Sequence, residues 1–394
     1  MKDSWQFHKL GDCIQLLSGG TPSKQNPEFW NGDIPWVSSK DMYSFRINKT
    51  QDSITENAIE KGAKIVPPGT VLIAVRGMRL QKEVPIVEVQ KESSFNQDLK
   101  ACICKKNILS RFLFYFLRAN EYNLRGACDE AAHGTKRLQT DQLLSIGINL
   151  PPLPTQKRIA DILSKYDDLI DNNNCQIALL EESVHLLYRE WFVRLRFPGH
   201  ESVRVVDGVP EGWELQPLGA ICKVTMGQSP ESEFYNTNRQ GLPFHQGVKN
   251  FGNRFVEHES YCTNYTRIAE PEDILCSVRA PVGRLNITLE KIVIGRGLSA
   301  IQNLAGYQSF QFYQLKSYFF KEDMIGGGAI FASVTKKQLL EQKMIVPNKV
   351  IIQKFEAIAK ATDKQIVNLY TQNQKLKEAR DLLLPRLMNG NLEV

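Results

Sequence analysis

The residue types that do chemistry do not form a known catalytic motif in this chain. There is no Asp/Asn-Pro-Pro-Tyr/Phe motif for amino methylation, no Gly-x-Gly after a strand for a methyl-donor cofactor and no G-x-x-x-x-G-K-[ST] phosphate loop. Residues 341–343 have the Glu-x-Lys spacing of nucleases, but no upstream Pro-Asp partner accompanies them. The histidines at 8, 133, 185, 200, 245 and 258 lack metal-ligand spacing. The sequence predicts no catalytic site and no metal site.

Another set of polar residues could contact nucleic acid, because bases are read by Arg, Lys, Asn or Gln, and phosphates by cations, hydroxyls and backbone N–H groups. In the first half, the candidates lie in small polar loops or just after apolar runs: Gly20, Thr21, Lys24, Ser39, Lys40, Arg76, Arg79, Lys136 and Arg137. The second half offers Gln228, Ser229, Gln246, Lys249, Arg279, Arg284, Arg296, Lys336 and Lys337. A solvated surface charge is the alternative for each. Arg76 and Arg279 stand out because they recur after equivalent strands, although such an arginine could also bridge to a carboxylate.

The glycines at 326–328 lack the Lys and hydroxyl of a phosphate loop, so they indicate a flexible turn near DNA backbone rather than a nucleotide site. The eight cysteines contain no C-x-x-C pair, and Cys102 and Cys104 alternate as in a strand. We interpret the cysteines as buried hydrophobic residues in a reducing compartment rather than as a metal or redox site.

The composition limits the class of protein. A chain of 394 residues exceeds what one core usually serves, so we expect two or three domains. A hydrophobic fraction of 42% excludes a disordered or fibrous chain. There is no apolar run of about 20 residues and no apolar signal core at the start, which predicts a cytoplasmic protein. The net charge of +6 fits a polyanionic partner.

The two halves of the chain repeat each other. Residues 19–22 reappear at 227–230, offset by 208, and residues 68–76 at 271–279, offset by 203. Residues 114–118 match 312–316, and 156–157 match 353–354, at offsets of 198 and 197. Because the order is kept and the offset drifts slowly, the sequence predicts a duplication with small loop deletions.

Each repeat shows one coarse order of elements. We predict strands at 71–75 and 100–105 in the first half, and at 274–278 and 298–302 in the second. An aromatic helix follows, at 111–119 or 307–318. A short helix then begins at an N-cap, Thr140 or Thr335, and a strand ends at Pro151 or Pro347. A long helix closes the repeat.

The two long helices carry heptad patterns with one amide in each seam. The first can begin at Thr155, and Pro385 is expected to end the second at about Leu384. An antiparallel register that pairs Asn173 with Asn373 also pairs Leu163 with Leu383, Ile170 with Leu376, and Tyr166 with Arg380. We predict an Asn173–Asn373 layer that fixes this register, because an amide facing leucine would lose hydrogen bonds at a cost of about 1–3 kcal/mol. A helical hairpin inside one globular core is the alternative.

Taken together, these segments resemble the specificity (S) subunit of type I restriction–modification enzymes. The resemblance rests on Gly-Gly-Thr-Pro-Ser at 19–23, Ile-Pro-Trp-Val at 34–37, the run at 68–76, Leu-Pro-Pro-Leu at 150–153 with Gln-Lys-Arg-Ile-Ala at 156–160, and Pro-Glu-Gly-Trp-Glu at 210–214. It covers essentially the whole chain. Each segment is weak alone; their order and duplication make them specific.

The resemblance implies a non-catalytic subunit of α+β fold with a duplicated, pseudo-two-fold symmetric architecture. Two mixed α/β target recognition domains would each read half of a split DNA sequence, separated by two long helices forming an antiparallel coiled coil. Two adenine-N6 methyltransferase subunits would dock on the chain, and restriction subunits through them. This chain would bind no cofactor, whereas the partner subunits would use S-adenosylmethionine, ATP and Mg.

The implied domains are recognition domain 1 at 1–154, a spacer helix at 155–192, a linker at 193–212, recognition domain 2 at 213–348, and the second spacer helix with the tail at 349–394. Three alternatives stay open. The chain could be the specificity chain of another methylase–nuclease assembly, a coiled-coil protein-interaction spacer, or a single-chain enzyme whose two lobes close on a substrate.

Overall fold

The computed structural model of the chain describes residues 5–130, 134–265, 267–320 and 333–394. It contains two compact units. Unit 1 comprises Met1–Asn172 and Gln372–Val394, and unit 2 comprises Asn173–Thr371. Each unit therefore holds one sequence repeat together with part of each long helix. The predicted glycine-rich turn at 326–328 and His133 lie outside the described residues, and the domain boundaries proposed from the sequence stay predictions.

The first repeat contains short strands and helices and leads into the first long helix. Its strands are β1 Gln6–Lys9, β2 Ile14–Ser18, β3 Trp30–Val37, β4 Arg46–Ile47, β5 Asp52–Ile54, β6 Ile65–Val66, β7 Val71–Ala74, β8 Arg76–Gly77, β9 Ile86–Val89, β10 Ser93–Phe95, β11 Leu99–Cys104, β12 Cys128–Glu130, β13 Lys136–Leu138 and β14 Gly147–Leu150. Its helices are α1 Leu10–Cys13, α2 Glu56–Glu60, α3 Ser110–Ala119, α4 Glu121–Gly126, α5 Thr140–Leu144 and α6 Leu153–Tyr188.

The core of unit 1 lies between the sheet β2-β11-β7-β9-β4 and helix α3. Strand β7 is buried throughout, which explains its unbroken run of apolar residues. The aromatic side chains of α3 bury its body against this sheet. Three smaller sheets surround the core: β5-β3-β10-β6, β12-β13-β8 and β1-β14.

The second repeat follows a short hairpin and closes with the second long helix. Its strands are β15 Val205–Val206, β16 Val209–Pro210, β17 Glu214–Pro217, β18 Cys222–Met226, β19 Tyr235–Asn236, β20 Leu242–His245, β21 Tyr261–Cys262, β22 Ile268–Ala269, β23 Ile274–Ser277, β24 Leu285–Ile287, β25 Ile292–Ile294, β26 Leu298–Asn303 and β27 Lys343–Val346. Its helices are α7 Leu218–Ile221, α8 Gln308–Phe320, α9 Lys336–Leu340 and α10 Lys349–Met388.

The strand pairings of unit 2 repeat those of unit 1. The sheet β18-β26-β23-β24 corresponds to β2-β11-β7-β9. Strand β3 pairs in parallel with β10, and β20 pairs in parallel with β25. The antiparallel pairs β1–β14 and β17–β27 correspond as well. The duplication predicted from the sequence offsets is thus a duplication of topology.

Helices α6 and α10 pack antiparallel within each unit. In unit 1, Leu163 of α6 shares a core with Leu383 and Leu387 of α10. In unit 2, the rings of Trp191 and Phe355 lie 6.1 Å apart between centroids. Both observations agree with the predicted register, which places position 191 opposite 355. Residues Arg189–Val193 extend α6 as a π-helical turn. Within the described ranges, the helices include none long and apolar enough to cross a bilayer.

Two predicted helix ends are wrong. Helix α6 begins at Leu153 rather than Thr155, because proline is tolerated in the first turn, where its missing N–H has no partner to lose. Helix α10 continues through Pro385 to Met388 instead of ending at Leu384. Leu387 and Met388 are buried in the core of unit 1, so packing outweighs the hydrogen bond that Pro385 cannot donate.

Of the two predicted N-caps of the short helices, one is confirmed and the other is wrong. Thr335 caps α9 as predicted, and its hydroxyl accepts a hydrogen bond from the Gln338 N–H. Thr140, by contrast, is the first residue of α5, and Gln139 is the N-cap. The Gln139 N–H donates to Oε1 of Gln142 at 3.3 Å, so the side chain of the third helical residue satisfies this end of the helix without a threonine at the N-cap.

Candidate nucleic-acid interface

The polar loops at Gly20 and Gln228 are held by the same backbone contacts in the two repeats. The Gly20 N–H donates to the Phe95 carbonyl at 2.9 Å, and the Gln228 N–H donates to the Ile294 carbonyl at 3.0 Å. Each loop thus runs against the end of an equivalent strand, β10 or β25. A Cβ at Gly227 would lie 2.1 Å from the Gly295 carbonyl oxygen, so this close approach requires glycine.

Hydroxyl groups in these loops contact the turn that follows β10 or β25. The Thr21 hydroxyl donates to Oε1 of Gln97. The Ser229 hydroxyl donates to Oε1 of Gln246 at 2.9 Å and accepts from the Arg296 N–H at 3.3 Å. The structure therefore brings together Ser229 and Gln246, two residues that the sequence predicted separately. In unit 1, Gln97 is the exposed polar partner of Thr21, and the sequence prediction missed it.

The loop after β3 holds Ser39 and the exposed Lys40. The Ser39 carbonyl accepts from Nη1 of Arg79 at 3.2 Å, and the Arg79 guanidinium lies 4.5 Å from the centre of the Tyr43 ring. Arg79 also pairs with Glu83. In unit 2, Lys249 pairs with Glu259 at 2.8 Å. Arg79 and Lys249 would have to exchange these partners to bind phosphate.

Arg76 and Arg137 lie directly opposite each other on neighbouring strands β8 and β13. Both are exposed, and Lys136 occupies the next position of β13. Like charges in a cross-strand pair repel, so an anion at this sheet would be favoured. In unit 2, Arg279 takes the place of Arg76 and forms a backbone bridge with Ser333, which corresponds to Arg137. The recurrence of Arg76 and Arg279 is therefore also a recurrence in space.

The remaining candidates have exposed side chains. Lys24 and Lys336 are exposed, and Lys337 pairs loosely with Glu341 at 3.8 Å. Arg284 is exposed, while its backbone bonds to Ser277 at the end of β23.

The predicted seam residues are all at least half-buried in the helices. Asn173 and Asn373 are each only 3% exposed, and their mutual pairing stays a prediction. The Tyr166–Arg380 pairing stays a prediction as well, and the Arg380 guanidinium binds Asp167, the residue after Tyr166, at 2.6 Å. Both side chains of this ion pair are 6% exposed. Arg380 also donates from Nε to Asp381, the next residue of its own helix, at 2.9 Å, so this buried guanidinium has a carboxylate partner on each helix.

A tyrosine–aspartate–arginine network joins each globular repeat to its helices. In unit 1, Asp167 accepts from the Tyr115 hydroxyl at 2.6 Å as well as from Arg380. In unit 2, Asp363 accepts from Nη2 of Arg254 at 2.6 Å and from the Tyr313 hydroxyl at 3.2 Å. Burial and the nearby Asp167 carboxylate raise the pKa of Tyr115, and burial raises that of Tyr313.

These pairs follow the sequence repeat: Tyr313 lies 198 residues after Tyr115, and Asp363 lies 196 after Asp167. The offsets of the duplication could have located them. Arg254 gives no such signal, because its counterpart is Phe45: the Arg254 carbonyl accepts from the Ile287 N–H as the Phe45 carbonyl accepts from the Glu88 N–H.

Unit 2 also contains a pair of histidines, one buried and one half-buried, that the sequence did not reveal. Nε2 of His245 lies 2.8 Å from Nδ1 of His258, whose Nε2 lies 2.9 Å from Glu290. Burial, and then the neighbouring His258, lowers the pKa of His245 to about 4. Burial also lowers the pKa of His258, although Glu290 opposes that shift. His245 is therefore a neutral side chain of the strand that leads into Gln246.

The sequence and the fold match one family. Residues 2–182 and 210–378 match the model of the type I restriction modification DNA specificity domain. The "Putative type I restriction enzyme MjaX specificity subunit" of Methanocaldococcus jannaschii is 31% identical over all of this chain and 94% of its own length. The MjaIX specificity subunit of the same organism is 27% identical over 99% of this chain and 94% of its own length.

A solved structure shares the fold. The S subunit of the type I restriction–modification system from M. genitalium aligns over 97% of this chain and 96% of its own length, with a TM-score of 0.56 and 15% identity. The chain thus belongs to the family of type I restriction modification DNA specificity domains, with two copies of the domain.

Proposed function

We propose that this chain is the DNA specificity subunit of a type I restriction–modification complex, and that each unit binds one half of a split DNA target. One observation carries the proposal: both repeats place a hydroxyl and an amide side chain together beside the ends of the same two parallel strands. In unit 1 these groups include Thr21 and Gln97, and in unit 2 Ser229 and Gln246. Such groups position phosphates and read base edges.

The helices offer a surface for protein partners. Leu186 of α6 is 48% exposed and Leu382 of α10 is 66% exposed, and the two occupy equivalent positions of the duplicated helices, 196 residues apart. A single exposed leucine is ordinary on a protein surface, but two at equivalent positions of the duplicated helices offer the same contact to two copies of one partner. Each unit would bind one methyltransferase subunit here, and restriction subunits would join through these partners.

In this proposal the chain itself carries out no chemistry. S-adenosylmethionine, ATP and Mg would be bound by the partner subunits, and this chain would supply only the sequence preference and the docking surface. The methyl groups would be transferred to adenine N6 by the partners.

DNA binding tests the first part. Binding of duplexes that contain the target should weaken linearly in log–log form as salt increases, because phosphate contacts release counterions. Exchanging residues 1–150 for those of a relative should change one half of the recognised sequence. A change in both halves, or salt-independent binding, would contradict the proposal.

Partner binding is tested separately with Leu186→Glu and Leu382→Glu. Each substitution should remove one methyltransferase subunit from the purified complex, as measured by its mass in solution. Leu304→Glu, at a leucine that is 64% exposed in the globular repeat, is the matched control and should leave the complex intact. A complex of unchanged mass with both helix variants would exclude this docking surface.

A further inference from the structure

Gln97 and Arg296 occupy the same position of two equivalent turns. In unit 1, the Leu99 N–H donates to the Asn96 carbonyl at 3.3 Å and closes a turn with Gln97 as its second residue. In unit 2, the Leu298 N–H donates to the Gly295 carbonyl at 3.0 Å and places Arg296 likewise. Both turns follow the strand that pairs in parallel with β3 or β20.

Both turns are held in place by local contacts. In unit 1, the side-chain oxygen of Asn96 accepts from the Asp98 N–H at 3.2 Å. In unit 2, glycines on both sides of Arg296 pack against Gln246: a Cβ at Gly295 would lie 2.6 Å from Oε1 of Gln246, and one at Gly297 would lie 2.5 Å from its carbonyl oxygen. A fixed turn gives its exposed side chain a defined starting point, which base recognition requires.

The side chains at the two positions are exposed and retain hydrogen-bonding capacity. Gln97 uses one lone pair of Oε1 to accept from Thr21, which leaves a second lone pair and both N–H donors. The exposed Arg296 guanidinium carries five N–H donors. The Arg296 backbone N–H contacts Ser229. Each of the two turns therefore lies beside the loop that is expected to bind phosphate.

The residue types at this position differ in the base that they recognise. Glutamine can pair in bidentate fashion with N6 and N7 of adenine, and arginine with O6 and N7 of guanine. We propose that Gln97 and Arg296 are equivalent base-reading residues, with Gln97 specifying an A·T pair in one half of the target and Arg296 a G·C pair in the other. This inference rests on the proposed function and adds the identity of the reading position.

The experiment selects duplexes from a library with randomised positions, using the full-length chain in complex with its methyltransferase subunits. Gln97→Arg should change the preferred base from A to G at one position of one half-site, by about tenfold or more, and leave the other half unchanged. Arg296→Gln should cause the opposite change, from G to A, in the other half-site. Gln97→Ala and Arg296→Ala should each weaken the base preference at one position of the DNA target.

The controls are Gln15→Arg on the exposed face of β2 and Arg204→Gln before β15, which make the same exchanges away from the turns and should leave the consensus unchanged. A wild-type complex that selects no sequence would contradict the proposed function itself. A bipartite wild-type consensus that the four turn variants leave unchanged would overturn only the reading position. Equal weakening for all sequences would assign the two side chains to phosphate contacts and would also overturn it.

Discussion

Each unit neutralises the aspartate of its tyrosine–aspartate pair with an arginine, but the two arginines come from different parts of the chain. In unit 1, the buried cation is Arg380 of helix α10, and its guanidinium lies 4.7 Å from the centre of the Phe45 ring. In unit 2, the cation is Arg254, at the position that corresponds to Phe45, while Val184 of α6 lies at the offset that corresponds to Arg380. The duplication kept the tyrosine–aspartate pair and exchanged an apolar residue and an arginine between two positions.

The exchange leaves the two networks in different surroundings. The space around Phe45, Tyr115, Asp167 and Arg380 holds a cavity of only about 10 Å³. Beside Arg254 and Asp363 lies a cavity of about 610 Å³. Burial alone would lower the pKa of Arg254, but the Asp363 carboxylate, with Tyr313 and Glu181, raises it. The comparison indicates that one ion pair is sealed by packing, whereas the other lies next to space that water can enter.

The largest expected difference between the two units is the loss of folding stability when each buried arginine is replaced. Arg380→Val and Arg254→Phe each install the residue that the other unit carries. Arg380→Val should cost about 3–5 kcal/mol, because Asp167 would stay buried with no cation. Arg254→Phe should cost less, because Asp363 and Glu181 are each 18% exposed and can take up water. Urea unfolding measures both losses; an equal or larger loss for Arg254→Phe would refute the explanation.

A double substitution sharpens this test. Adding Phe45→Arg to Arg380→Val recreates in unit 1 the arrangement of unit 2. We expect the double variant to recover part of the lost stability, because the new guanidinium can bind Asp167 from the position that Arg254 uses. Additive losses in the double-mutant cycle would show that the two positions are not interchangeable.

The second expected difference is in pH dependence. His245 of unit 2 corresponds to Val37 of unit 1, since their carbonyls accept equivalent backbone hydrogen bonds from Gly295 and Asn96. With a folded pKa of about 4 against an ordinary value near 6.5, His245 takes up its proton more readily in the unfolded chain. Unit 2 should therefore lose stability as the pH falls from 6.5 towards 4, by at most about 1.4 kcal/mol per pH unit.

Hydrogen exchange of the two units at pH 7 and pH 5 measures this difference. Protection should fall more in unit 2 than in unit 1, and His245→Val should remove most of the excess. An equal loss in both units, or a His245→Val variant that keeps the full loss, would show that other groups cause the pH dependence.

The smallest expected effect concerns DNA. Arg279→Ala and Arg76→Ala should each weaken specific binding and reduce the salt slope by about 1, as expected for one lost phosphate contact. The loss should be greater for Arg279→Ala, because Arg137 remains opposite position 76 whereas Ser333 lies opposite Arg279. Titration at several salt concentrations measures it. Full affinity with native thermal stability in either variant would remove that arginine from the interface.

The local patterns of the sequence predicted the elements well because their causes are local. The unbroken apolar run at 71–75 and the heptads of α6 and α10 can be recognised from neighbouring residues, and the duplication from the slow drift of the offsets. The end of α10 escaped prediction because Pro385 acts locally while the burial of Leu387 and Met388 depends on residues far away in the chain.

The candidate interface was predicted in its loops but not in its side-chain contacts. Glycine and hydroxyl patterns identified the loops at Gly20 and Gln228, since such residues mark close backbone approach. Gln97 was missed because nothing in its immediate sequence distinguishes it. The antiparallel pairing of β2 with β11, which places Ser18 opposite Lys100, brings it to the loop. Arg254 was missed because its partners Glu181 and Asp363 come from both long helices.

The division of the long helices between the units has a consequence for synthesis on the ribosome. Unit 2 ends at Thr371, whereas unit 1 includes Gln372–Val394. The first repeat emerges before the second, but Gln372–Val394 must be translated before Leu387 and Met388 can fill the interior of unit 1. Unit 2, although its repeat is translated second, can thus finish folding before unit 1. A ribosome that stops after position 371 would release a chain in which unit 1 is incomplete.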